Sequence, residues 1–197
     1  MPLTKIQSLG ITDGTIAAAD IASGAITAAK LASGVGGKVL QVVQVVKSDT
    51  ASTTSATFTD ITGMSASITP SSASNKILVF FDIGISSGGG GSGNPGMIKL
   101  LRGSTSIYIG DAAGSRERGY GGTSADSAYY GDYYTVRKMT GVYLDSPSTT
   151  SSTTYKIQFR ANSAGTTNVY LNTTGDVADN ANLIRTASSV TLMEIAA

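Results

Sequence analysis

The chain contains no cysteine and no histidine among its 197 residues. Without cysteine there is no disulfide and no thiolate metal site, so stability has to come from packing and, we expect, from subunit association. Without histidine the Ser-His and Cys-His dyads, the commonest general base and most transition-metal sites are excluded. The two absences therefore remove most of the usual catalytic centres.

Charge is also scarce. Fourteen Lys plus Arg balance 13 Asp plus Glu, which leaves a net charge of +1 and no basic block. Phosphate binding requires clustered Lys and Arg, so we expect no nucleic-acid partner. No apolar run is long enough to cross a bilayer, and we expect no membrane insertion. The opening residues, MPLTKIQSLG, lack the basic start, apolar run and cleavage site of a signal peptide.

Paired carboxylates could still hydrolyse a glycoside. The acidic candidates are scattered among predicted loops without an apolar setting that would raise a pKa, so each is expected to be a solvated residue: Asp111, Glu117, Asp126, Asp132 and Asp145. Residues 176–180 are the best local match to a calcium loop, but they lack its full pattern and are expected to form a turn. Glycine-rich residues 88–93 lack the Lys-Ser/Thr ending of a phosphate loop. We therefore expect that the protein is not an enzyme and that it binds no metal and no cofactor.

A short internal repeat opens the chain. Apolar residues recur at every fifth position and glycines at every tenth: Ile11, Ile16, Ile21, Ile26 and Leu31, with Gly14, Gly24 and Gly34. Residues spaced by five do not share one face of an α-helix, and in a strand they alternate between the two faces. We predict instead a ten-residue unit with an extended piece at residues 24–26 and one helical turn at residues 27–31. The glycines would lie where the path reverses and a positive φ is needed.

A repeat this short cannot bury its own apolar side chains and needs copies of itself beside it. Three copies about a threefold axis would place each Ile or Leu layer in a shared core. Residues 1–36 are therefore predicted to form an anchoring trimeric stem. The alternative is a disordered Ala/Gly/Ser linker with incidental apolar residues.

Residues 37–197 change to a strand pattern. Short β-branched and alternating segments separated by turn-rich linkers predict an all-β, antiparallel, jelly-roll-like sandwich. The predicted strands are 39–46, 58–61, 64–68, 76–85, 97–102, 106–109, 135–144, 155–160, 169–171 and 190–195. Residues 39–46, VLQVVQVV, are expected to be at least partly buried on both faces. The last strand is expected to be tied into the sheet, so that its removal disrupts folding.

Tyrosines crowd a glycine-rich stretch that also carries Arg116, Glu117 and Arg118. They are Tyr120, Tyr129, Tyr130, Tyr133 and Tyr134. Tyrosine combines a rigid apolar ring with one polar tip, so such clusters favour recognition of surfaces, including sugars. The alternative is that these rings pack into the sandwich or into a subunit interface.

The segment ITDGTIAAADIASGAITAAKLASG resembles the short Ile/Ala/Gly repeats of bacteriophage tail-fibre and head-fibre proteins, over roughly residues 9–36. The resemblance implies a homotrimeric virion protein, assembled in the host cytoplasm and attached through its N-terminus to other virion proteins. The distal β-domain would then contact a host-surface glycan or protein. A tail fibre or spike is the leading interpretation, and a head fibre or capsid decoration protein is the nearest rival. A glycan depolymerase and a secreted adhesion module are less favoured interpretations.

Overall fold

The computed structural model describes residues 16–27, 30, 38–88, 95–123, 133–162 and 168–197. The chain divides into two compact units, Met1–Lys38 and Val39–Ala197, two residues after the predicted boundary. The first unit contains a short 3₁₀ turn at Ala18–Asp20. The strands of the second are β1 (Val39–Lys47), β2 (Ala51–Thr53), β3 (Thr59–Ile68), β4 (Lys76–Gly88), β5 (Met97–Arg102), β6 (Thr105–Ile107), β7 (Gly121–Gly122), β8 (Arg137–Asp145), β9 (Thr153–Arg160), β10 (Asn168–Leu171) and β11 (Ser188–Ile195).

The second unit consists of two sheets, and every pairing among the described strands is antiparallel. The larger sheet contains β1, β11, β4, β10, β2 and β8, and the smaller contains β3, β9, β5, β6 and β7. Strand β4 pairs along one side with β8 and along the other first with β11 and then with β10. The chain passes repeatedly from one sheet to the other, so the predicted all-β, jelly-roll-like sandwich is confirmed.

The core lies between the inner faces of the two sheets. Alternate residues of β4 share that face and are all buried, as predicted: Ile77, Val79, Phe81, Ile83 and Ile85. Across from them the smaller sheet contributes Ile98, Leu100, Tyr155, Ile157 and Phe159. The period of two in the burial pattern follows from the pleat, which turns successive side chains to opposite faces.

The structure corrects two features of the strand prediction. The expectation that residues 39–46 are at least partly buried on both faces is wrong, because β1 is an edge strand and its outer side chains are exposed. The separate strands at 58–61 and 64–68 are one strand, β3, whose pairing with β9 shifts between Asp60 and Ser65. Gly63 lies within that irregularity with φ +84°, a conformation that glycine adopts without steric cost. Strands β2 and β7 were not predicted.

Glu194 ties the last strand to its neighbours. Its buried carboxylate accepts hydrogen bonds from the side chain of Asn75 (2.6 Å), from Nε2 of Gln41 (2.6 Å) and from the backbone N–H of Ser71 (2.7 Å). Burial alone would raise the pKa of this carboxyl, but the bonds from Asn75, Gln41 and Ser71 outweigh burial and lower the pKa to about 2. The expectation that this strand is tied into the sheet is confirmed, since β11 also pairs with both β1 and β4.

Candidate functional site

In the described part of the N-terminal repeat, a backbone N–H donates to the carbonyl three residues earlier at every fifth position, at Asp20, Ala25 and Lys30. The N–H of Asp20 donates to the carbonyl of Ala17 at 2.9 Å, and that of Lys30 donates to the carbonyl of Thr27 at 2.9 Å. The carboxylate of Asp20 also accepts a 2.9 Å bond from the N–H of Ala17. The backbone turns therefore recur at the five-residue step of the apolar residues.

The reversal between these turns occurs at Gly24. The N–H of Ala25 donates to the carbonyl of Ala22 at 2.9 Å, and Gly24 has φ +77°. The predicted positive φ is confirmed at this glycine, whereas the predicted extended piece at residues 24–26 is wrong because the chain turns there. Gly14 and Gly34 lie outside the described residues.

The three described apolar residues of the repeat face solvent in the single chain. Ile16, Ile21 and Ile26 are 56%, 41% and 54% exposed. Exposing isoleucine at every fifth position is costly, because burying such a side chain stabilises a protein by about 1.5–3 kcal/mol. The other two predicted stem-core residues, Ile11 and Leu31, lie outside the described residues.

A second exposed apolar surface crosses the larger sheet. On its outer face, pairing aligns Val42 of β1 with Met193 of β11, Met193 with Leu78 of β4, and Leu78 with Leu144 of β8. Val42 and Leu144, at the two ends of this row, are 55% and 53% exposed. The next row places Phe80 beside Val142. We call these six side chains the apolar outer face.

The outer face of the smaller sheet has the opposite character. It carries Lys156, which donates to Oδ2 of Asp60 at 2.7 Å, and Gln158, which donates to Oδ1 of Asp60 at 2.7 Å. Nearby, Nζ of Lys99 lies 3.9 Å from the ring centre of Phe58, and Arg160 pairs with Glu117 at 2.9 Å. One side of the sandwich thus suits water, and the other exposes contiguous aliphatic side chains.

A ring cluster and a hollow lie beside β8. The ring of Tyr120 packs edge-on against Phe81 at 4.7 Å between centroids, and Tyr108 bridges Tyr120 (5.2 Å) and Tyr143 (5.1 Å). Burial, followed by the nearby Tyr108, raises the pKa of Tyr120. The hollow has a volume of about 470 Å³. Its lining includes Phe80, Asp82, Tyr108, Tyr120, Thr140 and Val142.

Asp82 lines this hollow, and its side chain is 44% exposed. Its Oδ2 accepts a 3.0 Å bond from Nζ of Lys138. Its Oδ1 is buried and has no hydrogen-bond partner among the described residues. A buried polar atom without a partner costs free energy, and this oxygen has too little accessible surface to receive a donor from outside the chain.

The structure separates the predicted recognition tyrosines. Tyr120 belongs to the ring cluster and donates its hydroxyl hydrogen to the carbonyl of Thr140, which favours the packing alternative for this residue. Tyr133 and Tyr134 form a different pair, with perpendicular rings 4.9 Å apart. Tyr129 and Tyr130 lie outside the described residues. Tyr108 and Tyr143, which complete the cluster, were missed because neither belongs to the tyrosine-rich stretch.

Within the described ranges, no three acidic side chains gather as they would around a metal ion. Asp111 is exposed as expected, but Asp145 is not, so the expectation of solvation is wrong there. Asp145 is buried between Arg102 (2.9 Å) and the hydroxyl of Tyr155 (2.6 Å). Asp126 and Asp132 lie outside the described residues.

The calcium-like stretch at 176–180 forms turns. Oδ1 of Asp176 accepts from the N–H of Ala178 at 2.9 Å, and Oδ1 of Asn180 accepts from the N–H of Asn182 at the same distance. Side-chain oxygens that cap their own backbone in this way are typical of Asx-turns.

The part of the chain that the structure describes contains no helix of the length and hydropathy needed to span a membrane.

Comparison with known proteins gives weak similarity to solved structures. No family model matches this chain, and no curated protein matches it. Among solved structures, the VP2 subviral particle of infectious bursal disease virus is similar, with a TM-score of 0.34 and 13% sequence identity. The similarity covers 79% of this chain and 37% of that one. This chain therefore spans little more than a third of the length of that viral protein.

Proposed function

We propose that this chain is a homotrimeric structural protein of a bacteriophage particle, a tail fibre or spike attached through residues 1–36. The observation that carries the proposal is the apolar outer face, a contiguous aliphatic row that crosses four strands from Val42 to Leu144. Monomeric soluble proteins rarely leave a large contiguous apolar patch in water. A protein of this kind works by geometry, since three copies of each surface loop make weak contacts avid.

The contrast between the two outer faces indicates which side of the sandwich faces the other copies in the proposed trimer. The apolar outer face is covered by other copies, whereas the face carrying Lys156 and Asp60 stays in water. Covering side chains that are half exposed recovers about 1 kcal/mol each. The exposed isoleucines of the repeat supply a second, independent reason for association.

A substitution that introduces a charge on the apolar outer face tests whether this face joins the copies of the proposed trimer. We expect sedimentation to give the mass of a trimer for the unaltered protein. Leu144→Lys should weaken the trimer and raise the fraction of monomer. The far-ultraviolet circular dichroism spectrum should not change, because Leu144 is exposed within one chain. Ser65→Lys, at an exposed position on the outer face of the smaller sheet, is the matched control and should remain trimeric. A monomeric unaltered protein would refute the proposal.

The position in the particle requires a separate measurement. Antibody labelling of intact phage should mark the tail if the protein is a fibre or spike. Labelling over the capsid would instead assign it as a head fibre or decoration protein. The assignment to a virion fails if purified phage particles do not contain the chain at all.

A further inference from the structure

We infer that a second hollow, formed by the segment 173–185, binds the terminal neutral sugar of a cell-surface glycan. We call it the loop hollow. The inference deepens the proposed function and rests on it, because attachment through residues 1–36 decides which end of the sandwich is left free. Three observations support it: the place of the loop hollow in the fold, its unpaired polar groups and the apolar side chains beside them.

The loop hollow lies at the end of the sandwich opposite to the entry of the chain. Val39, the first residue of β1, is level with Lys76 at the start of β4, since both pair with Ile195. Strand β4 then runs for 13 residues, about 40 Å at about 3.3 Å per residue, to Gly88. A Cβ built on Gly175 would lie 2.9 Å from Cα of Gly88, so the segment that forms the loop hollow passes beside this far end. An N-terminal attachment therefore leaves the loop hollow free for contacts.

The loop hollow presents polar groups that no other described residue satisfies. Asp179, Asn180 and Arg185 line it and are exposed. Within the described residues, the carboxylate of Asp179 and the guanidinium of Arg185 form no ion pair and no hydrogen bond. Oδ1 of Asn180 accepts from the N–H of Asn182, which leaves the amide nitrogen with two hydrogens to donate.

These groups select for a ligand that both donates and accepts. A carboxylate can only accept hydrogen bonds, whereas a guanidinium and an amide nitrogen can only donate them. Neighbouring hydroxyls on a sugar ring meet both demands at close spacing, because each hydroxyl is a donor and an acceptor. A hydroxyl-rich ligand therefore matches the loop hollow better than an apolar one does.

Charge and size narrow the ligand to one neutral sugar residue. The lining includes the carboxylates of Asp176 and Asp179 but only one cation, Arg185, so an acidic ligand would meet a net negative charge. The volume of about 240 Å³ is below the range of about 300–1,000 Å³ that is typical of sites for drug-sized ligands. One sugar residue at the end of a glycan is a ligand of the appropriate size.

Apolar side chains lie beside the polar groups. Val177 and Ile184 line the loop hollow and are 62% and 55% exposed. The N–H of Asp176 donates to the carbonyl of Tyr133 at 3.0 Å, which brings the pair of Tyr133 and Tyr134 next to the loop hollow. A sugar ring has a similar division, with C–H groups that pack on aliphatic and aromatic side chains and hydroxyls that form hydrogen bonds.

An array of immobilised oligosaccharides tests the inference, with the labelled full-length protein as the probe. We expect retention on glycans that end in a neutral hexose or N-acetylhexosamine, and none on glycans that end in sialic or uronic acid. Asp179→Asn and Arg185→Gln should each weaken retention at least about tenfold, because each removes charge-assisted hydrogen bonds. Asp111→Asn and Arg116→Gln make the same changes at exposed positions outside the loop hollow and should bind like the unaltered protein.

Three array results would overturn the inference. Retention that is insensitive to both Asp179→Asn and Arg185→Gln would place the sugar site elsewhere. Retention on acidic glycans alone would contradict the ligand class. No retention on any glycan, by a protein that sediments as a trimer, would show that the loop hollow binds no sugar and would leave the proposed function intact. A monomeric protein would refute the proposed function and this inference with it.

Thiol labelling tests whether the loop hollow is open in the assembly. The chain has no cysteine, so maleimide labelling of Ile184→Cys reports on this one exposed position. We expect the rates in the native trimer and in the denatured chain to agree within about threefold. A saturating amount of a retained glycan should slow the native rate. A larger slowing without glycan would show that another copy covers the loop hollow, and would overturn the inference.

Discussion

The hydroxyl of Tyr155 donates a 2.6 Å hydrogen bond to Oδ2 of Asp145 inside the sandwich. The same carboxylate accepts two 2.9 Å contacts from Arg102, whose side chain reaches toward the surface. Burial, followed by the neighbouring Asp145, raises the pKa of Tyr155 far above its usual value. Both effects favour the protonated tyrosine, which is the form that donates this hydrogen bond.

Removing this donor should destabilise the fold. We expect Tyr155→Phe to lower the free energy of unfolding by about 1–3 kcal/mol, because a buried carboxylate oxygen loses a partner. Urea denaturation measures the change. Tyr108→Phe removes a hydroxyl from a partly exposed ring and is the matched control, with an expected effect within about 0.5 kcal/mol. Equal losses in the two variants would contradict this account of Asp145.

Acid should weaken the attachment of the last strand through Glu194. The pKa of this carboxyl is about 2 in the fold against a reference value of 4.5, so the folded state holds its proton more weakly than the unfolded chain. The resulting stabilisation, about 3 kcal/mol at most, is fully present above pH 4.5 and is lost as the pH falls toward 2.

Thermal unfolding across this pH range provides the measurement. Glu194→Gln should lower the stability at neutral pH and flatten its dependence on pH between 4.5 and 2. Glu117→Gln alters an exposed glutamate and should leave that dependence in place. A pH profile that is identical in the unaltered protein and in Glu194→Gln would rule out this role.

Gly141 should tolerate no side chain. A Cβ built there would lie 2.6 Å from Cε1 of Phe81, whose ring packs edge-on against Tyr120. We expect Gly141→Ala to cost about 1–3 kcal/mol, because the ring has to move within a packed core. Gly110→Ala, where a Cβ meets open space, is the control and should change the stability little. A neutral effect at Gly141 would show that the ring relaxes freely.

Deleting residues 189–197 should prevent folding. The deletion removes most of β11, which pairs with β1 on one side and β4 on the other. We expect an insoluble or unfolded product by circular dichroism. A soluble trimer formed by the shortened chain would contradict this prediction.

The local sequence pattern was sufficient to predict most strands, but it did not predict where each strand lies in the sheet. Alternation in residues 76–85 predicts both β4 and its buried face, because the pleat alone determines which side chains share a face. Residues 39–46 are apolar on both faces, and no local signal distinguishes a central strand from an edge strand. That assignment depends on pairing with residues 188–195, far along the chain.

The candidate site was less accessible to sequence reasoning, because its surfaces are assembled from distant segments. The row from Val42 to Leu144 depends on the register of three strand pairs. Asp145 resembled a solvated loop acid, since its partner Arg102 lies 43 residues earlier. In contrast, the stem repeat was visible directly, because its five-residue step is local and reappears in the backbone hydrogen bonds of Asp20, Ala25 and Lys30.

The central position of β11 also constrains biosynthesis. Because β11 is the strand that joins β1 to β4, their edges stay unpaired on the ribosome until residues 188–195 have emerged. Nascent chains with open strand edges are prone to aggregate, and sheets built from distant segments form slowly. Production of this protein should therefore be sensitive to the speed of translation and to the supply of chaperones.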